Sequence, residues 1–251
     1  MSVQSIYRWN GGGLEPLDYC DMTDTSIVVA DSWLVTDGTA LALDAHRTRF
    51  LAVATGAEQF WDAAVAAIPL EGNWFPRVEL HSTGRLVFRL RSAPDRQRSV
   101  VLATWTGADP WTQPAIKGPD LERMLGIRTS VQAVGAGEAV LLSPDGYVVD
   151  GATSALLWWR GAILCGPLGE LERIDSVTAR SVLTLAAALG VDTHEEAVTP
   201  AELDGTELWV LNALHGIRIA TAWVDGPQVA EQPGRLATWR KRMDALRRPI
   251  R

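Results

Sequence analysis

Residues 106–120, TGADPWTQPAIKGPD, divide the chain into two halves. Three prolines and two glycines fall in this short segment. Proline removes a backbone donor and glycine loosens the backbone, so neither a helix nor a strand is expected here, and this composition is typical of a connection between domains. The sequence therefore predicts an N-terminal domain over residues 1–108, a connection over 109–118 and a C-terminal domain over 119–251.

Both halves mix helical and strand-like patterns. Apolar runs on either side of Asp37-Gly38 predict a tight β-hairpin, because Asp-Gly favours that turn. Apolar residues at helical spacing follow over 45–68, and alternating or continuous apolar runs predict strands over 78–105. The second half predicts two further hairpins, a helix capped by Ser176, two more strands and a last helix from about Gly234. A mixed α+β or α/β fold is therefore expected.

Composition narrows the class of protein. The chain has 251 residues, 47% of them hydrophobic and 21% charged, which is typical of a folded protein with a sizeable core. A net charge of −7 argues against a nucleic-acid partner, since phosphate binding needs a basic surface. No apolar run is long enough to span a membrane, and the N-terminus lacks the pattern of a signal peptide. A cytoplasmic protein without a membrane partner is expected.

Metal chemistry is not expected either. Cys20 and Cys165 lie far apart and form no CxxC pair. The histidines show no ligand spacing. They are His46, His81, His194 and His215.

Lysine is rare in this chain. Only two of the 23 basic residues are lysines, Lys117 and Lys241. Arginine can hold an anion, but its guanidinium group cannot serve as an amine nucleophile. Lys117, inside the proline-rich segment, is therefore the first candidate for a chemical role.

Four segments, in this order, carry a family resemblance: AHRTRF at 45–50, IKGPDL at 116–121, DGYVVDGATSALLWW at 145–159 and SVTARSVLTLA at 176–186. They resemble the class IV aminotransferases, pyridoxal-phosphate enzymes of fold type IV that include branched-chain and D-amino acid aminotransferases and aminodeoxychorismate lyase. The resemblance implies a two-domain fold, with a small N-terminal α+β domain and a larger, β-barrel-like C-terminal domain with helices. It also implies a homodimer.

The resemblance assigns the chemistry to two residues. Lys117 matches the lysine that forms a Schiff base with pyridoxal 5'-phosphate and later moves the substrate proton, which needs a desolvated amine. Asp150 stands where the family has a glutamate facing the pyridine nitrogen. A carboxylate there keeps the ring protonated and able to accept electrons. Asp150 is one methylene shorter than glutamate.

The resemblance also assigns the phosphate contacts. Arg49 matches an arginine that binds the cofactor phosphate, and Ser176, Val177 and Thr178 match the turn that holds it. A helix N-terminus with free N–H groups and one arginine is a natural receptor for a dianion. Besides Asp150, two further positions depart from the family pattern, and these departures point to a divergent branch. They are Ala155 and Ala179, where asparagine and arginine are common.

The reaction depends on a later turn. Asn212-Ala213-Leu214 resembles the N-A-L turn of aminodeoxychorismate lyases, and it implies that these residues and His215 bind the substrate, with Ala213 also near the cofactor. Arg218 is a possible helper, although His215 and Arg218 could equally be half-exposed residues at a strand end. We therefore expect a lyase that eliminates pyruvate and releases 4-aminobenzoate. The alternatives are an amino acid transaminase and a non-catalytic family member, and the retention of Lys117 argues against the latter.

Overall fold

The computed structural model describes residues 4–17 and 26–251, which group into two compact units. Unit 1 contains the described residues of Met1–Asp95 together with Ile116–Pro119 and Leu246–Arg251. Unit 2 contains Arg96–Ala115 and Asp120–Ala245. The segment around Lys117 has neither helix nor strand, as its prolines predict. Its residues are shared between the units, and the domain limits drawn from the sequence stay a prediction.

Unit 1 is built on an antiparallel five-stranded sheet and a smaller four-stranded one. The first has the order β2-β1-β8-β7-β3. Its strands are β1 (Gln4–Trp9), β2 (Leu14–Pro16), β3 (Ile27–Ser32), β7 (Arg77–His81) and β8 (Leu86–Arg91). The smaller sheet has the order β17-β5-β4-β6. Its strands are β4 (Val35–Thr36), β5 (Thr39–Ala40), β6 (Asn73–Trp74) and β17 (Arg248–Pro249), and the helices of the unit are α1 (Leu43–Leu51) and α2 (Glu58–Ala66).

The hairpin expected at Asp37-Gly38 is present between β4 and β5. Both turn residues have positive φ, 44° and 68°, as a tight type I′ turn requires. The apolar run before it is broken, since β3 ends at Ser32 and β4 begins at Val35. Strand β3 is thereby free to pair with β7 instead of continuing into the hairpin.

An aromatic core holds the helices of unit 1. Trp33, Phe50, Phe60 and Trp61 are all buried, and the rings of Trp33 and Trp61 lie 4.7 Å apart between centroids. Burying one such side chain stabilises a protein by about 1.5–3 kcal/mol. The apolar spacing of α1 and α2 thus places one face of each helix on this core.

Unit 2 is built on a mixed eight-stranded sheet in the order β11-β10-β9-β16-β15-β12-β13-β14. The strands are β9 (Ser99–Thr104), β10 (Glu138–Leu142), β11 (Val148–Gly151), β12 (Ala155–Arg160), β13 (Ile163–Pro167), β14 (Thr193–Glu196), β15 (Glu207–Asn212) and β16 (Gly216–Val224). The helices are α3 (Leu121–Ser130), α4 (Val177–Ala188) and α5 (Arg235–Ala245), with short 3-10 helices at Val131–Val134 and Pro200–Leu203. The curled sheet and its helices confirm the predicted mixed fold.

Two neighbouring tryptophans show how the sheet of unit 2 is packed. Trp158 and Trp159 point to opposite faces of β12, as neighbours on a strand must, and both are buried. Trp158 belongs to the main core cluster, whereas Trp159 packs edge-on against Trp209 and Trp239 at 5.2 and 5.6 Å between ring centroids. Both faces of this strand are therefore covered.

Across the described part of the chain, none of the helices has the length and apolar character needed to cross a membrane. The cytoplasmic location stays a prediction.

Candidate functional site

Arg49 in unit 1 is held by a buried carboxylate. Its Nε and Nη2 atoms donate to Oδ2 and Oδ1 of Asp31, each at 2.8 Å, in a two-pronged ion pair. Asp31, at the end of β3, is 1% exposed, and it also accepts hydrogen bonds from the Ser32 N–H and from Nδ1 of His46. Burial acts to raise the pKa of Asp31, but His46 and Arg49 outweigh it and hold the pKa well below its ordinary value.

The histidine and the arginine of the H-x-x-R pattern in α1 thus both bind the carboxylate of Asp31. His46 and Arg49 lie about one helical turn apart, so both side chains leave the same face of the helix. The family resemblance assigns Arg49 to the cofactor phosphate and gives it no protein partner. Asp31 was not predicted, although an aspartate inside an apolar strand is a signal for a buried ion pair.

Lys117 is fixed through its backbone. Its carbonyl oxygen accepts a 2.7 Å hydrogen bond from the N–H of Ala30, the residue before Asp31 in β3. Gly118 follows with a φ of +147°, and a Cβ there would lie 2.8 Å from backbone atoms of Val29 and Ala30. Only glycine fits this close approach without a shift of the strand. Unit 1 therefore brings the Lys117 backbone and the Arg49 ion pair to the same strand.

Asp150 in unit 2 lies near the end of β11 and is buried. Its Oδ1 accepts a hydrogen bond from the N–H of Gly151 at 3.1 Å. That same N–H donates to the carbonyl oxygen of Ser154 at 2.7 Å, which closes a tight turn. A Cβ on Gly151 would lie 2.7 Å from this carbonyl oxygen, so the turn after Asp150 requires glycine.

Helix α4 begins as the sequence predicts. Ser176 is its N-cap and accepts a hydrogen bond from the N–H of Ala179, while Val177 and Thr178 are buried in the first turn. The N–H groups of a first turn have no helical acceptor, and the helix dipole favours an anion there. A cavity of about 700 Å³ within unit 2 is lined by Ser176, Ala179 and Ala155 among other residues. The two alanines that depart from the family pattern thus line one cavity.

The turn after β15 is shaped by Asn212. Its Oδ1 accepts a hydrogen bond from the N–H of His215 at 2.8 Å, and its Nδ2 donates to Oγ of Ser154 at 3.3 Å. Ala213 and Leu214 between them are half-buried. The turn at 212–215 and the turn at 151–154 are therefore in direct contact.

His215 is a neutral donor in this environment. Its Nδ1 accepts a hydrogen bond from the N–H of Gln97 at 3.2 Å, which leaves the proton on Nε2. Burial lowers the pKa of His215 to about 4, with the charges of four arginines adding to the effect. These are Arg218, Arg128, Arg240 and Arg96.

Arg218 and His215 are both buried, so the view of them as half-exposed strand-end residues was wrong. Arg218 is 1% exposed. Its Nη2 atom donates to Oγ of Ser154 at 2.9 Å and lies 3.5 Å from Oε2 of Glu138. Neither Glu138 nor Ser154 was predicted from the sequence. Within residues 4–17 and 26–251, no group of three or more histidine, cysteine, aspartate or glutamate side chains could hold a metal ion.

Comparison with known proteins places these features in a family. The chain superposes on a protein from Mycobacterium tuberculosis described as a hypothetical aminotransferase, in its apo form, with a TM-score of 0.79 and 20% identity, covering 97% of this chain and 98% of that one. It superposes on the branched-chain amino acid aminotransferase of Escherichia coli with a TM-score of 0.78 and 16% identity, covering 96% and 94%. It also superposes on a Legionella pneumophila protein assigned as a 4-amino-4-deoxychorismate lyase, with a TM-score of 0.70 and 15% identity, covering 86% of this chain and 90% of that one.

These identities show the fold alone, and no curated protein matches the chain in sequence. The family model for amino-transferase class IV matches residues 80–223, which is more than half of the chain. The protein therefore belongs to the class IV aminotransferase family.

Proposed function

We propose that the protein is a pyridoxal-phosphate enzyme in which Lys117 carries the cofactor, and that it acts as a lyase of the 4-amino-4-deoxychorismate kind. The main support is the position of the Lys117 and Gly118 backbone, which packs closely against β3 beside the Asp31–Arg49 pair. These backbone contacts fix the point from which the Lys117 side chain leaves the chain. The M. tuberculosis relative has a pyridoxal-phosphate-bound form, which supports the choice of cofactor.

The donor groups of the chain suit this cofactor. A phosphate dianion calls for a cation and free N–H groups, an aldehyde for an amine, and a pyridine nitrogen for a carboxylate. Arg49, Lys117 and Asp150 supply these groups, together with the first turn of α4. Because Asp31 already neutralises Arg49, we assign a larger share of the phosphate binding to Ser176, Val177 and Thr178.

When bound, pyridoxal phosphate accepts the electrons of the bond that breaks in the substrate. The amine of Lys117 takes and returns the substrate proton. The carboxylate of Asp150, oriented by the N–H of Gly151, favours the protonated pyridine nitrogen. The turn at 212–215 offers backbone N–H groups to the substrate carboxylate, and His215 adds a neutral N–H.

The lyase assignment is supported by the Asn212-Ala213-Leu214 turn, whose shape depends on the Asn212 side chain. The product would be 4-aminobenzoate, released with pyruvate. A transaminase that forms 2-oxo acids is the second candidate, and it is supported by the likeness to the E. coli branched-chain enzyme. A homodimer is also proposed, and light scattering at micromolar concentration tests it.

A paired assay tests the proposal. One arm measures 4-aminobenzoate release from aminodeoxychorismate, and the other measures 2-oxo acids formed from L- and D-amino acids. We expect activity in the first arm, and a visible cofactor absorption that is lost in Lys117→Ala but kept in Lys241→Ala. Activity in the second arm alone would replace the lyase by a transaminase, and a colourless protein that takes up no cofactor would overturn both.

A further inference from the structure

Glu138 is a fully buried carboxylate in unit 2, with 0% of its surface exposed. It accepts hydrogen bonds from the N–H and Oγ1 of Thr153, at 3.1 and 2.7 Å, and from Oγ of Ser154 at 2.5 Å. A buried charge is strongly unfavourable unless it is paired and hydrogen-bonded. Glu138 therefore acts as an anchor for residues 153 and 154, and Arg218 balances its charge.

The hydroxyl group of Ser154 is used completely. It donates to Oε2 of Glu138 at 2.5 Å, and it accepts from Nη2 of Arg218 at 2.9 Å and from Nδ2 of Asn212 at 3.3 Å. A serine hydroxyl has one donor and two acceptor positions, so these three contacts fix its orientation.

The backbone of Ser154 is connected to Asp150 through the N–H group of Gly151. The Ser154 carbonyl oxygen accepts from the N–H of Gly151, and this N–H also contacts the Asp150 carboxylate. A shift of Ser154 therefore moves a donor that orients Asp150.

The side chain of Ser154 leads to the turn at 212–215. The carboxamide of Asn212 is planar, so a fixed Nδ2 also fixes Oδ1, which accepts from the N–H of His215. The backbone of the turn follows the orientation of this one amide group.

The guanidinium group of Arg218 is enclosed, and only some of its nitrogen atoms are used. Its Nε and Nη1 atoms are buried and have no hydrogen-bond partner in the described structure, and its Nη2 is taken by Ser154 and Glu138. With 1% of its surface exposed, Arg218 is placed to act on the turn through Ser154.

We propose that Ser154 is a positioning residue that holds the Asp150 segment and the turn at 212–215 in a fixed relation through one hydroxyl group. Its catalytic consequence rests on the proposed function, whereas the coupling itself is a property of the protein alone. In the enzyme, Ser154 would set both the environment of the pyridine nitrogen and the affinity for the amino substrate.

Amide hydrogen exchange of the cofactor-free protein tests the coupling directly. In Ser154→Ala, we expect exchange at Gly151 and His215 to rise together by about tenfold or more, because one hydroxyl supports both turns. The matched control is Ser143→Ala, which removes a hydroxyl that accepts from the N–H of Tyr147 in the β10–β11 hairpin. It should leave both amides within about twofold of the unchanged protein.

Faster exchange at Gly151 alone would overturn the proposal, as would equal effects of the two alanine variants. Ser154→Thr retains the hydroxyl and is expected to restore protection at both amides. If Ser154→Ala does not fold, Asn212→Ala replaces it, and the coupling then requires increased exchange at Gly151 as well as at His215. None of these outcomes depends on whether cofactor binds.

The loaded enzyme gives a second readout. Ser154→Ala is expected to raise KM for the amino substrate by about tenfold with kcat changed less than about threefold, and to shift the pH dependence of the cofactor absorption. Unchanged KM and spectrum would overturn the catalytic part of the proposal. A protein that binds no cofactor would instead overturn the proposed function, while the exchange result would stand.

Discussion

Asp31 in unit 1 and Glu138 in unit 2 are both buried carboxylates paired with an arginine, but they are neutralised differently. Asp31 receives both prongs of Arg49 at 2.8 Å, and the Arg49 side chain keeps 16% of its surface exposed. Glu138 is bound mainly by hydroxyl and backbone donors, and Arg218 lies 3.5 Å away with 1% of its side chain exposed. The first arginine can still approach a ligand, whereas the second is enclosed.

This difference separates binding from positioning. A partly exposed arginine can still contact a second anion, although the charge of its fixed counter-ion opposes that anion. An enclosed arginine only balances the charge of its partner, so removing either residue of the pair lowers the free energy of unfolding. The contrast predicts which substitutions weaken the fold and which weaken phosphate binding.

The largest effect is expected for Glu138→Ala. It leaves Arg218 as an unpaired buried charge and also opens a cavity, and the free energy of unfolding should fall by about 5 kcal/mol. Thermal and urea denaturation measure this loss. The double variant Glu138→Leu with Arg218→Met should recover most of it, since a buried ion pair can be replaced by apolar side chains. If Glu138→Ala were as stable as the unchanged protein, Glu138 would not act as an anchor.

Asp31→Asn is expected to cost less, about 3 kcal/mol, because water can partly solvate the released Arg49. The same change should increase the stabilisation of the cofactor-free protein by inorganic phosphate, since Arg49 then lacks its counter-ion. Melting temperatures at increasing phosphate, at constant ionic strength, measure this effect. Arg49→Met in the Asp31→Asn background should abolish the gain, and an equal phosphate response in all variants would contradict the contrast.

Glu79 is a third buried carboxylate, and its contribution to stability can be measured through its dependence on pH. Burial acts to raise the pKa of Glu79, but the hydrogen bond from His81 and the charges of Arg77 and Arg89 outweigh it and lower the pKa to about 2. A lowered pKa stabilises the fold above the unfolded-state value of about 4.3, and this contribution is lost as the pH falls towards 2. Glu79→Gln should therefore cost about 2 kcal/mol at neutral pH.

The difference in unfolding free energy between the unchanged protein and Glu79→Gln should shrink steadily from pH 5 to pH 2. Denaturant titrations at fixed pH values measure it. A difference that stayed constant over this range would show that the Glu79 charge is not what stabilises unit 1.

Local features of the fold could be predicted from the sequence. The turn at Asp37-Gly38 and the cap at Ser176 depend on neighbours along the chain, so their chemistry is visible in the residue types. The segments around Arg49, Lys117 and Asp150 also predicted the family, and the family match over residues 80–223 confirms that prediction.

The partners of these residues could not be predicted. Asp31 pairs with a residue 18 positions away, and Glu138 with one 80 positions away. Such pairs depend on how helices and strands are placed in each unit, which hydrophobic periodicity does not specify. For the same reason, the contact of Ser154 with Asn212 follows from the pairing of β12 with β15 and not from either segment alone.

The smallest effect is expected for Arg180→Ala at the start of α4. Arg180 and Asp175 approach to 2.6 Å, closer than the two 2.8 Å contacts of Arg49 with Asp31, but their side chains are 49% and 61% exposed. Solvent screens such a pair, and its loss should change the unfolding free energy by less than about 0.5 kcal/mol. Urea denaturation of Arg180→Ala beside Asp31→Asn compares them directly. Equal losses would mean that distance decides the strength of these pairs, whereas a clear difference would show that burial of the carboxylate does.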